Sequence, residues 1–129
     1  MANMKTTLII QIFTGIGVLF AIPSCTYDEV FPYKPDPGVE VFFAQDIVPI
    51  FNSSCNVAGC HNGTVAPDLR PENAYDALWT GGYINVEIPA ESELYLWMTE
   101  VKGPMPPLGT NATNNATVLQ WIEQGALEN

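Results

Sequence analysis

Cys55-Asn56-Val57-Ala58-Gly59-Cys60-His61 is the stretch on which the reading of this chain turns. It sets two thiols with four residues between them and an imidazole directly after the second. His61 is the single histidine of the 129-residue chain. Ala58 and Gly59 are small, so the intervening residues have room to bulge away from the two sulfurs. Just upstream, Phe43, Ile47, Ile50 and Phe51 fall at i, i+4, i+7 and i+8, one face of a helix leading into the motif. Pro49 is tolerated there if Asp46 is the N-cap, because a first-turn residue needs no helical N–H. A helix that starts earlier would kink at Pro49.

Downstream, three more segments read as helices. Residues 71–79 begin with Pro71 and stop at Gly81-Gly82. Residues 91–100 follow Pro89, carry acids in the first turn and put Leu94, Trp97 and Met98 on one face. Residues 114–124 have Thr113 as N-cap, Gly125 as stop, and Val118, Trp121 and Ile122 on one side. No segment alternates with period two, so the fold class is all-α. The connections at 62–70, 81–89 and 101–112 are long for so small a domain, which calls for something else to pack them.

Upstream, the chain reads as exported. Lys5 precedes an apolar run at residues 8–22, too short and too Gly-interrupted for a membrane span. The run ends in Ile22-Pro23-Ser24-Cys25, which resembles a bacterial lipobox with Pro23 as a departure from the usual residue. This resemblance makes residues 1–24 a signal peptide and Cys25 a lipidated first residue; the alternative is an ordinary cleavable signal. Residues 25–41 hold Pro32, Pro35, Pro37 and Gly38 and read as a tether, with 42–129 as the domain. With 14 Asp and Glu against 4 Lys and Arg, neither nucleic acid nor anionic lipid headgroups are expected partners. A partner with a basic patch is the natural complement, although net charge also serves solubility.

Two cysteines followed at once by histidine is the pattern of covalent haem attachment: thioethers from both sulfurs, iron ligation by the imidazole. The usual spacing is two residues; here it is four. The expected haem attachment residues are Cys55 and Cys60, and the expected axial ligand is His61. For the sixth position, Met105 lies in Gly103-Pro104-Met105-Pro106-Pro107-Leu108-Gly109, whose prolines and glycines stiffen a loop without helical hydrogen bonds. A neutral thioether there favours ferrous iron. Met98 is the competing thioether, but it lies in a helical pattern where methionine more often fills a core.

The stretch from Phe43 to Ala126 resembles the small single-haem cytochrome c domains of bacterial envelope lipoproteins. The matching pieces are Asp46 through Cys55, Gly59-Cys60-His61, Ala66-Pro67-Asp68-Leu69, Tyr75 through Leu78, Gly81-Gly82-Tyr83, the Met105 loop, and Trp121 through Ala126. The resemblance implies about four short helices around one haem c, with the first and last helices crossing so that Phe43, Ile47 and Ile50 meet Val118, Trp121 and Ile122. It implies functional roles for Cys55, Cys60, His61 and Met105. Pro67 would support the backbone of the proximal histidine, or else be a plain loop proline. Leu69, Tyr75, Leu78, Tyr83, Pro106 and Leu108 would line the haem, or else simply form core. The implied role is electron transfer without catalysis, at the envelope, with redox protein partners.

Three rival readings use the same residues. A structural lipoprotein would join Cys55 to Cys60 as a disulfide. A zinc site on Cys55, Cys60 and His61 lacks an obvious fourth ligand. A haem sensor would leave the sixth position open. Asn52, Asn62, Asn111 and Asn115 each open an Asn-x-Ser/Thr triplet, read here as chance.

Overall fold

The computed structural model describes residues 36, 38–99, 101–103, 105–107 and 109–129. The expectations for residues 1–35, Cys25 among them, and for Leu108 lie outside the described residues. Four α-helices follow one another: α1 Val48–Ser54, α2 Ala74–Thr80, α3 Glu93–Met98 and α4 Ala112–Glu123. A π-helical turn, Phe43–Ile47, runs directly into α1, and a 3-10 turn, Pro89–Glu91, precedes α3. No strand occurs among the described residues, so the all-α class holds.

The first helical segment starts earlier than Asp46. Phe42 is its extended N-cap, and the Asp46 carboxylate reaches back to accept the Phe42 N–H at 2.8 Å. Asp46 therefore closes the helix start from inside the first turn rather than capping it. Pro49 explains the π turn that precedes it. A proline has no N–H to donate, and its ring collides with the carbonyl four residues back. The chain widens instead, the Val48 N–H bonding five residues back to Phe43 O, and α1 resumes with Pro49 in its first turn.

Three other helix starts also differ from expectation, the first being α2, which begins at Ala74 rather than Pro71 because residues 71–73 form turns. Asn111, not Thr113, caps α4: its side-chain oxygen accepts from the N–H groups of Thr113 and Asn114. The expected helix over 91–100 is interrupted at Ser92, which is extended and fully buried. Its hydroxyl is committed to the backbone of Asn85, accepting from the N–H at 2.9 Å and donating to the carbonyl at 3.3 Å. Helix α3 therefore begins at Glu93.

The glycine stops behave as the sequence suggests. After α2, Gly82 has φ +73°, and Tyr83 N–H returns to Leu78 O at 3.0 Å. After α4, Gly125 has φ +97°, and Ala126 N–H returns to Trp121 O at 2.9 Å. Both are Schellman endings, which need a left-handed residue that glycine takes without steric cost.

The core lies where the first helical segment meets α4. Phe43, Ile47, Phe51, Val118, Trp121 and Ile122 are buried in one cluster with Leu69, Leu78 and Leu94, and Ile50 packs on it from a half-buried position. The Phe43 ring sits 5.3 Å from the Trp121 ring and meets Tyr75 edge-on at the same distance. Residues ahead of Phe43 are fastened to α4 as well. Gln120 Nε2 donates to the carbonyls of Asp36 and Val39, and Gln124 Oε1 accepts the Val41 N–H. The last residues of the expected tether are thus part of the packed unit.

Candidate functional site

Helix α1 delivers Cys55 as its C-cap, with the Cys55 N–H on Phe51 O at 2.9 Å. The chain then turns out and back: Cys60 N–H bonds Val57 O at 2.9 Å, and His61 N–H bonds Cys55 O at 3.1 Å. The second bond closes the heptapeptide into a loop, with Val57, Ala58 and Gly59 exposed at its tip. Gly59 takes φ +82° in open space. The two extra residues of the spacing are absorbed by this outward bulge, and the histidine returns to the first cysteine. Both thiols are half-buried and unpaired. Burial pushes the Cys55 thiol up, partly opposed by its contact with Ser54 Oγ at 3.8 Å.

His61 Nδ1 lies 3.1 Å from Pro67 O. A carbonyl oxygen only accepts, so the proton of this bond sits on Nδ1. In the neutral ring Nε2 then carries a lone pair, the state a metal ligand requires. Two further bonds hold the segment that supplies Pro67. Leu69 N–H donates to His61 O at 2.7 Å, and Asn56 Nδ2 donates to Leu69 O at 3.1 Å. Asp68 is braced by Arg70 Nη2 at 2.6 Å and Asn73 Nδ2 at 2.7 Å, and the Arg70 hydrogen bond holds the Asp68 carboxyl well below the usual carboxylate range.

Beside Cys55 a cleft of about 230 Å³ opens between α1 and the start of α4. Ile50, Cys55, Met98 and Pro106 form its apolar wall, with Ser53, Ser54, Asn111, Asn114 and Asn115 as the polar one. Of the two methionines, Met98 is a core residue at 5% exposure, whereas Met105 is 37% exposed, its N–H on Trp97 O at 3.0 Å. Among the expected lining residues, Pro106 borders this cleft and Pro67 contacts His61. Leu69 and Leu78 are buried core, and Tyr75 packs on Phe43 with its hydroxyl donating to Ala126 O. Tyr83 packs against the core from a half-buried position.

The asparagines passed over in the sequence are the main addition. Asn115 is buried and donates to Met98 O at 2.9 Å, Asn52 accepts from Asn56, Asn62 accepts from Thr64, and Asn111 caps α4. A side-chain amide that spans two backbone segments leaves no periodic trace in sequence, so only coordinates reveal it. Among the described residues, no group of three or more His, Cys, Asp or Glu side chains gathers as a metal site, so Cys55, Cys60 and His61 do not converge on one ion. No family model, curated protein or solved structure matches the chain.

Proposed function

We propose that this chain is a small c-type cytochrome that carries one haem, bonded through Cys55 and Cys60, and passes single electrons without catalysing a reaction. The observation that carries the reading is the His61 Nδ1–H bond to Pro67 O, which frees Nε2 as a donor beside two unpaired thiols. An orienting carbonyl on the far nitrogen is the usual partner of a ligating histidine. The disulfide reading gives that bond no purpose.

By residue type the donor set suits a covalent haem: Cys55 and Cys60 would bond the porphyrin, and His61 and the exposed Met105 would supply the iron donors. The cleft beside Cys55 falls below the roughly 300–1,000 Å³ of typical ligand sites, so as it stands it admits only part of such a group. When bound, the haem supplies a one-electron couple between ferrous and ferric iron. The chain's part would be to hold His61 in one tautomer through Pro67 O and to present the apolar wall of Ile50, Met98 and Pro106 beside Cys55. Held ligands keep reorganisation small, which suits outer-sphere transfer.

The helical order, with the motif after the first helix and the Met105 loop before the last, supports a cytochrome c-like arrangement around the haem. Lipidation at Cys25 would tether the domain to a bacterial envelope membrane, facing the periplasm or exterior. No described helix is long and apolar enough to cross a membrane. Redox partners with a basic face are the expected complement. Arg70 and Lys102 are both in ion pairs, while Glu40, Glu87, Glu91 and Glu123 are exposed.

The test is a reduced-minus-oxidised spectrum of protein made in a host that attaches haem. A sharp reduced α-band that survives acid-acetone extraction is expected; loss of all colour into the organic phase would refute covalent attachment.

A further inference from the structure

We infer that Asn56 is a positioning residue for His61, a role that rests on the haem reading above and adds to it. Residues 67–69 form a strap across His61. Pro67 O receives the imidazole proton, and Leu69 N–H returns to His61 O at 2.7 Å. The Leu69 side chain is buried at 3% exposure, which fixes one side of the strap in the core. Its carbonyl accepts a hydrogen bond from Asn56 Nδ2 at 3.1 Å. The same amide nitrogen donates to Asn52 Oδ1 on α1 at 2.6 Å. Asn56 therefore ties α1 to the strap, and the strap to the ring.

Asn56 lies ahead of the bulge between the cysteines. Asn56 N–H still bonds Phe51 O at 2.9 Å, so Asn56 continues the end of α1. The bulge begins only after it, at Val57. Asn56 is thereby left free to face the strap while the exposed tip carries the chain on to Cys60.

A hydrogen bond from Nδ1 makes the imidazole a stronger donor and favours ferric iron. Loosening the strap weakens that bond, so the potential should rise. For Asn56→Ala the ferrous to ferric ratio at fixed ambient potential should grow up to about tenfold, a rise of about 59 mV for one electron. In full-length protein made without haem attachment, exchange of the His61 Nδ1 proton with solvent, read by NMR, should quicken by about tenfold. Asn56→Leu, similar in size but without a donor, should act like the alanine variant and carries the test if alanine fails to fold. Asn56→Gln should recover part of both effects. Unchanged potential and unchanged exchange in a folded Asn56→Leu protein would overturn the inference. If the wild-type protein takes no haem, the reading above fails, and the proton exchange alone decides the role of Asn56.

Discussion

The joint between the first helical segment and α4 differs in kind from the loops that carry the sulfur and imidazole groups. At the joint, Ile47, Phe51, Val118, Trp121 and Ile122 are fully buried, and Schellman turns close both α2 and α4. Among the described residues, the segments at 55–70 and 101–111 bury few side chains and are shaped by turns, left-handed glycines and single hydrogen bonds. Stability is concentrated in one region and chemistry in the other. Loops of this kind hold reactive groups in place only because a rigid scaffold fixes their ends. Here α1 ends at Cys55 and Leu69 plunges into the core, so both ends of the His61 loop are anchored.

The contrast breaks if substitutions in the two regions cost the same. Trp121→Ala, which empties a fully buried site and loses the Nε1 bond to Leu127 O, should cost about 3–5 kcal/mol in denaturant unfolding. Asn115→Ala leaves the Met98 carbonyl unpaired beside the cleft and should cost about 1–3 kcal/mol by the same measure. Gly125→Ala forces a side chain into the left-handed region and should cost about 1 kcal/mol. Met105→Ala, on the exposed loop, should change the stability of unloaded protein by no more than about 0.5 kcal/mol. In haem-loaded protein the same change should lower the reduction potential sharply while the haem stays attached. A potential that does not move would remove Met105 as the ligand.

Acid sharpens the comparison further. The Asp68 carboxyl is held low by Arg70, so the folded form is favoured while Asp68 is ionised. That contribution is fully present above the ordinary carboxylate pKa of about 4 and is lost as pH falls through the depressed folded value. Asp68→Asn should flatten this part of the acid dependence in a pH series of unfolding midpoints, lowering the midpoint near pH 7 while leaving it little changed in strong acid.

The sequence made the packed joint legible because its signals are periodic. Phe43, Ile47 and Ile50 repeat at helical spacing, and so do Val118, Trp121 and Ile122; their meeting follows from burial. Gly81-Gly82 and Gly125 mark stops through chirality alone. The helix starts were less legible. Asp46 and Thr113 both looked like caps, but Pro49 forced a wider turn upstream, and Asn111 was better placed than Thr113 to meet two free N–H groups. Ser92 broke a regular pattern because its hydroxyl serves a loop seven residues away. In the site, the two thiols and the imidazole were evident from their order, and Pro67 was expected to support the histidine backbone rather than, as found, its ring. The amide of Asn56 was not, since a bridge between helix and loop depends on three-dimensional return of the chain.

Intact mass under denaturing conditions bears most directly on the haem assignment. Protein expressed with a haem-attachment system should weigh one porphyrin more than the polypeptide, and Cys55→Ala with Cys60→Ala should abolish the increment. Polypeptide mass alone in the unsubstituted protein would contradict the assignment.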